Sequence, residues 1–347
     1  MTSSAVPAGS VPSRRNVFLF PGQGSQHPRM AADLYGVDEV FTSIMNDAFE
    51  ILDDPALRKV WLQPNPGPLF HDITRAQPLL LSVNYAIART LISAGVRPDA
   101  VLGHSVGEIA AAVVADVFDF ADALMMLSGF VRRYQHAPAG GMLAVAGSAE
   151  QVREQLDGIA DVVVGVVNGP RQVLVCGSRH GLHAVKRRLL RDAVTCADVH
   201  ALQPFHSPLM NRLPPTAEHF PMRESLRNRL RAPRTPMYSG YLGGPLTDEQ
   251  ATEPDFWFGQ PARQVLFGPA LRTLLADGPC TLIECGPGQS LTALARRTQA
   301  VASGESDCIA VIPARRARDG DNASLAAALK QLRNRATTGT SKGLTDA

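Results

Sequence analysis

Short runs of apolar residues alternate along this chain with longer stretches in which apolar positions recur every three or four residues. Asn16-Val17-Phe18-Leu19-Phe20, closed by Pro21-Gly22-Gln23-Gly24-Ser25-Gln26, reads as a buried strand. Ala100-Val101-Leu102, closed by Gly103, reads the same way. Helical periodicity covers residues 41–52, 78–94, 108–114 and 120–134. Strands alternating with helices imply a parallel sheet covered on both faces.

The pattern changes near Gly140. Residues 142–146 form a short apolar run, and 148–155 a short helix that Ser148 can cap. Strands over 162–167 and 173–176 flank the turn Asn168-Gly169-Pro170-Arg171, a basic amphipathic helix follows over 181–191, and 193–199 suits another strand. This strand-helix-strand-strand-helix-strand order predicts a ferredoxin-like insert. A strand at 237–241, a helix at 265–275 and a strand at 281–284 running into Gly286-Pro287-Gly288 and another helix return to the larger unit. The expected organisation is α/β. An α/β-hydrolase-like large subdomain with a parallel sheet takes 15–140 and 206–333, and a small ferredoxin-like subdomain takes 141–205. Flexible ends are expected at 1–14 and 334–347.

Composition narrows the class. Of 347 residues, 45% are hydrophobic and 19% charged, as in a globular enzyme. The 34 basic and 32 acidic residues nearly cancel, which argues against a nucleic-acid partner. Five cysteines (Cys176, Cys196, Cys280, Cys285, Cys308) show no metal-like spacing and suit reduced thiols, so no metal is expected. The polar first fourteen residues lack the apolar core of a signal peptide, and no apolar stretch reaches the roughly 20 residues that span a bilayer. A cytoplasmic monomer without a membrane partner is the expectation.

Gly103-His104-Ser105-Val106-Gly107 reads G-x-S-x-G between a strand and a helix. In that setting a strained, glycine-flanked turn exposes a serine hydroxyl as a nucleophile. The helix start adds N–H groups and a positive dipole end near any oxyanion formed there. A serine nucleophile needs a base, and His206, in Gln203-Pro204-Phe205-His206-Ser207-Pro208, is best placed of nine histidines.

These segments occur in an order and spacing that carry a resemblance. Phe20-Pro21-Gly22-Gln23-Gly24-Ser25-Gln26, Ala76-Gln77-Pro78, Gly103-His104-Ser105-Val106-Gly107-Glu108 and Gly140-Gly141-Met142 come first. Asn168-Gly169-Pro170-Arg171-Gln172-Val173, Phe205-His206-Ser207-Pro208 and Glu284-Cys285-Gly286-Pro287-Gly288 follow. Over residues 16–333 the chain resembles the malonyl-CoA:acyl-carrier-protein transacylases, including the acyltransferases of polyketide synthases. The resemblance implies a ping-pong reaction with Ser105 as nucleophile and His206 as base. It places an oxyanion hole at the backbone N–H groups of Gln23 and Val106. It assigns the carbonyl that orients the histidine to Gln260, and puts Gln77, His104, Asn168 and Phe205 about the acyl pocket. No bound cofactor is implied: the acyl group arrives on CoA or on the phosphopantetheine of a carrier protein.

One departure bears on the substrate. The malonyl-transferring relatives carry an arginine in the helix after the serine, whose fork pairs with the free carboxylate. That position falls here on Ser128, or on Gly129 with the gap one residue later, and neither can hold a carboxylate. A register in which Arg132 reaches the pocket is the alternative. The expectation is a discrete, trans-acting acyltransferase of polyketide-type biosynthesis that moves a non-malonyl group, such as an aminoacyl or dipeptidyl group, between carrier proteins. Malonyl transfer from CoA and editing hydrolysis of acyl carriers are the competing readings. Acidic carrier proteins, as donor and acceptor, would dock on Arg153, Lys186, Arg187, Arg188, Arg296 and Arg297.

Overall fold

The computed structural model describes residues 14–213, 219–312 and 320–340. Its strands are β1 (Arg15–Phe20), β2 (Ala100–Gly103), β3 (Gly140–Val145), β4 (Val162–Gly169), β5 (Gln172–Ser178), β6 (Cys196–Val199), β7 (Met237–Ser239), β8 (Gly244–Pro245), β9 (Cys280–Pro287) and β10 (Asp307–Ile312). The larger sheet has the order β10-β9-β1-β2-β7-β8 and is parallel except for the β7–β8 pair. Val17, Phe18, Leu19 and Phe20 are wholly buried, because β1 lies inside a sheet covered on both faces. Helix Ile73–Ser93 packs on β9 and on helices Gly107–Val114 and Phe120–Tyr134. Its buried Asn84 donates through Nδ2 to the Pro21 carbonyl at 2.9 Å, which ties down the loop after β1.

The smaller sheet is antiparallel, in the order β4-β5-β3-β6. Helices Ala149–Leu156 and Arg179–Arg191 join its strands and share a core with Leu143, Val145, Val164 and Val175. This is the ferredoxin-like arrangement expected from the pattern. Ser148 caps its helix as anticipated, in a reciprocal box with Gln151. The register of β4 against β5 shifts between Val164 and Val166. That bulge joins Val166 to the larger core while Val164 stays in the smaller one.

The sheets are stitched together beside the site. Val167 N–H donates to the Val265 carbonyl at 2.7 Å, Val265 N–H to the Gly165 carbonyl at 2.8 Å, and Gln264 Nε2 to the Val164 carbonyl at 2.6 Å.

Several elements depart from the sequence reading, most plainly at the two ends of the chain and in the insert. Strand β10 and helix Gly320–Thr340 escape it: β10 lies at the sheet edge, and the helix buries a thin apolar row, Leu325, Ala328 and Leu332, in an alanine-rich stretch. The flexible tail expected from residue 334 is helical as far as Thr340, and 341–347 lie outside the described residues. At the other end, residues 1–13 lie outside them too, and Arg14 is not loose but pairs with Asp307 at 2.7 Å. The strand expected at 193–199 starts at Cys196, because Ala193 turns the chain with φ 55°. Among the described residues no helix is long and apolar enough to cross a membrane.

Candidate active site

Three loops leave the carboxyl ends of the neighbouring strands β1, β2 and β7 and meet in a crevice, the place where parallel sheets offer their loops to ligands. The β2 loop carries Ser105 at φ 54°, a conformation strained for a residue with a side chain. Its glycines are demanded by contact. A Cβ on Gly107 would sit 2.2 Å from the Phe20 carbonyl oxygen, and one on Gly103 2.3 Å from the Glu108 backbone. Helix Gly107–Val114 therefore packs directly on β1 and lifts Ser105 to the crevice.

His206 enters from the segment that returns from the smaller sheet, held at φ 60° by its N–H bond to the Pro261 carbonyl at 2.6 Å. Ser105 Oγ and His206 Nε2 are 2.8 Å apart. On the other side of the ring Nδ1–H donates to the Arg263 carbonyl at 3.1 Å. That bond fixes the tautomer and leaves Nε2 free to accept from the serine. Burial, then the neighbouring His104 ring, lowers the His206 pKa to about 4, against the opposing pull of the Arg263 and Gln260 backbones. A neutral base facing the hydroxyl results.

The Arg263 carbonyl, 3.1 Å from Nδ1, thus joins the Gln260 backbone that the sequence assigned, and both act on the ring. A short 3-10 turn, Gln260–Ala262, has the Gln260 carbonyl accepting from Arg263 N–H at 3.1 Å. The chain then carries the Arg263 carbonyl, three residues on, to the ring as well. Gln260 also lines the cleft.

Gln23 and Val106 both line the crevice, and neither backbone N–H has an acceptor among the described residues. Gln77 donates through Nε2 to Gln23 Oε1 at 2.7 Å, so the long helix holds the loop that offers the first of these donors. His104 lines the cleft and bonds through Nε2 to Asn168 Oδ1 at 2.7 Å. Asn168 thus steadies His104 from behind and is not itself in the lining. Phe205 is in it, as expected.

Ser128 and Gly129 are not. Gly129 faces Met222 of helix His219–Arg227, where a Cβ would meet the Met222 Cε at 2.2 Å. The face of helix Phe120–Tyr134 turned to the cleft is Leu127, Phe130 and Tyr134, the spacing of one helical stripe. Phe130 and Tyr134 lie 5.9 Å apart between ring centres, and Tyr134 meets Phe205 edge-on at 5.4 Å. Each strand of the smaller sheet adds one residue: Met142, Val166, Leu174 and Val199. Among the described residues no lysine or arginine lines the cleft. Arg132 is exposed, and Arg133 reaches away to the Leu213 carbonyl at 2.6 Å.

Two neighbours went unassigned in the sequence. Glu108, buried behind Ser105, accepts from Ser239 Oγ at 2.6 Å and from Gly240 N–H at 2.8 Å, and burial raises its carboxyl to about 8. It anchors the β7 loop, which presents Tyr241 with its ring centre 6.0 Å from that of His206. Burial keeps the Tyr241 phenol protonated, with Glu108 adding to the effect. The signal available in sequence was an aromatic residue just past a strand on the same sheet edge as the serine turn.

The basic residues differ among themselves. Arg153, Arg187 and Arg296 are exposed. Lys186 pairs with Asp198, Arg188 donates to the Gln155 and Asp157 carbonyls, and Arg297 to Gln172 Oε1 at 2.8 Å.

Comparison with known proteins places this geometry in context. A family model described as "Acyl transferase domain" matches residues 17–342. A phenolphthiocerol/phthiocerol polyketide synthase chain of Mycobacterium tuberculosis is 34% identical over 287 residues, covering 82% of this chain and 19% of that protein. This chain thus spans about a fifth of the length of that synthase chain. The crystal structure of the acyl transferase domain of SpnD, in complex with 2-(pent-4-yn-1-yl)malonyl, is similar at a TM-score of 0.83 and 29% identity, covering 96% of this chain and 80% of that one. A loading acyltransferase from the avermectin modular polyketide synthase is similar at 0.76 and 29% identity, covering 91% and 99%.

Proposed function

This chain belongs to the acyl transferase domain family, and from that premise we propose that it moves an acyl group without a terminal carboxylate between carrier-protein thiols through an ester on Ser105. His206 Nε2 takes the Ser105 proton as Oγ attacks the thioester carbonyl. The tetrahedral oxyanion lies between the Gln23 and Val106 N–H groups, donors of a kind worth about 3 kcal/mol of barrier each. Collapse breaks the carbon–sulfur bond, and the departing thiolate takes the proton from His206. The acceptor thiol reverses these steps and frees Ser105.

The observation that carries the choice of substrate is the cleft wall, aromatic and aliphatic around Phe130 with no lysine or arginine among the described residues. A malonyl carboxylate buried there would lack a cation, at a cost of several kcal/mol. On this reading the chain parts from the SpnD domain, whose complex holds a malonyl derivative. The exposed Arg153, Arg187 and Arg296 suit an acidic carrier on a separate chain.

Intact-mass measurement after incubation with thioesters tests the proposal, with Ser105→Ala as control. Neutral acyl thioesters should give a serine-dependent adduct and malonyl-CoA none. A rapid malonyl adduct would overturn the substrate class, and hydrolysis to free acid faster than transfer to added carrier would favour an editing role.

A further inference from the structure

One polar group in the cleft has no part in the transfer steps. Gln260 lines the cavity, is 4% exposed, and its Nε2 has no acceptor among the described residues. Its backbone is already engaged, since its carbonyl closes the 3-10 turn with Arg263 N–H. Phe130, Tyr134 and Trp257 share the lining with Gln23, Gln77, Ser105 and Tyr241, yet none of their oxygens accepts from the Gln260 amide. A buried donor left unpaired is destabilising, which favours a ligand that completes it.

We propose that the Gln260 carboxamide donates a hydrogen bond to a neutral oxygen on the acyl chain, a hydroxyl or an amide carbonyl beyond the thioester, and so selects such groups over plain alkyl chains. The inference rests on the acyl-transfer reading above and narrows its substrate. Two physical arguments set the class. A carboxylate at Gln260 would be held by a neutral donor with no cation in the lining, which disfavours a charged partner. A plain alkyl chain would seal the cleft and leave Nε2 buried and unpaired, and sites with a committed donor discriminate strongly against ligands that cannot use it. Gln260 and Ser105 line the same cleft, so an acyl chain carried on the serine shares its space with the amide.

The test compares N-acetylcysteamine thioesters of similar length: hexanoyl, 3-hydroxyhexanoyl and N-acetylglycyl. Rates of Ser105 acylation are read by intact mass in the wild-type protein and in Gln260→Leu. At least one oxygen-bearing ester should acylate faster than hexanoyl, and the arm that does so separates a hydroxyl from an amide ligand. Gln260→Leu should lower that rate ratio about tenfold, the size of one lost hydrogen bond. Gln260→Glu, which keeps the shape and exchanges donor for acceptor, should lower it as well. Each ratio comes from a single preparation, so a partly unfolded variant does not mimic the effect. An unchanged ratio in Gln260→Leu, or a wild-type preference for hexanoyl, overturns the proposal while leaving acyl transfer intact. Absence of any serine adduct from all three esters overturns both.

Discussion

His206 turns its Nδ1–H to the backbone carbonyl of Arg263, 3.1 Å away, and among the described residues no carboxylate is its partner. A carbonyl orients the ring but brings no full negative charge to favour the imidazolium. Burial and the His104 ring then dominate, and the imidazole stays neutral far below its ordinary range.

A pH profile follows from that pairing. Because the active form is the neutral imidazole, Ser105 acylation should stay level from about pH 8 to about pH 5 and fall only as the pH nears 4. The unfolded histidine protonates near its ordinary 6.5, while the folded one resists until about 4. Stability contributed by His206 should therefore be lost as pH falls through that window. Rapid-quench mass measurement reads the first effect; a midpoint at 6.5 or above would contradict it.

Phe130→Arg should convert the acyl preference. The new guanidinium would project from the stripe of Leu127, Phe130 and Tyr134 into the cleft and offer a bidentate partner to a free carboxylate. Malonyl adduct formation should rise at least about tenfold, and the unliganded variant should lose several kcal/mol from burying an unpaired charge. Intact mass and urea unfolding measure the pair of effects. A folded variant still inert to malonyl-CoA would place the deciding position elsewhere.

Gly107→Ala should damage the serine turn through packing alone. The added methyl meets the Phe20 carbonyl oxygen at 2.2 Å, and rigid backbone must move to admit it. A loss of about 1–3 kcal/mol in urea is expected, with slower acylation as Ser105 shifts from His206. A wild-type unfolding midpoint would refute this account of the glycine.

Glu108 predicts a second, alkaline trend. Its folded carboxyl titrates at about 8 against an ordinary value of 4.5, so the fold favours the protonated form. The stability this confers is complete below about pH 4.5 and drains away as pH rises through 8. Glu108→Gln can keep bonds to Ser239 and Gly240 without titrating, and its melting temperature should fall less between about pH 5 and 9 than that of the wild type. Parallel curves for the two proteins would remove Glu108 as the source.

The parts of this architecture that showed in the sequence depend on local sterics and burial. Apolar runs marked β1 and β2, and the glycines around Ser105 marked a turn that tolerates no side chain. Misassigned positions needed tertiary register. Ser128 and Gly129 sit close to Phe130 in the chain, but at about 100° per residue they face elsewhere, and the apolar stripe was the better guide. Gln260 and Arg263 are separated by one tight turn, which brings the ring a second backbone partner that the sequence did not assign. Tyr241 acquires its place only when β7 docks beside β2, a pairing no local pattern announces.

The serine turn belongs to the larger sheet, whereas Met142, Val166, Leu174 and Val199 come one from each strand of the smaller. Part of the acyl wall is therefore carried on a stretch of polypeptide separate from the serine turn. Substitutions at these four positions of the insert can reshape the acyl wall while Ser105 and its N–H donors stay untouched. A lineage built this way can diversify its substrates by drift or by exchange of the insert as a unit, without having to reinvent its nucleophile.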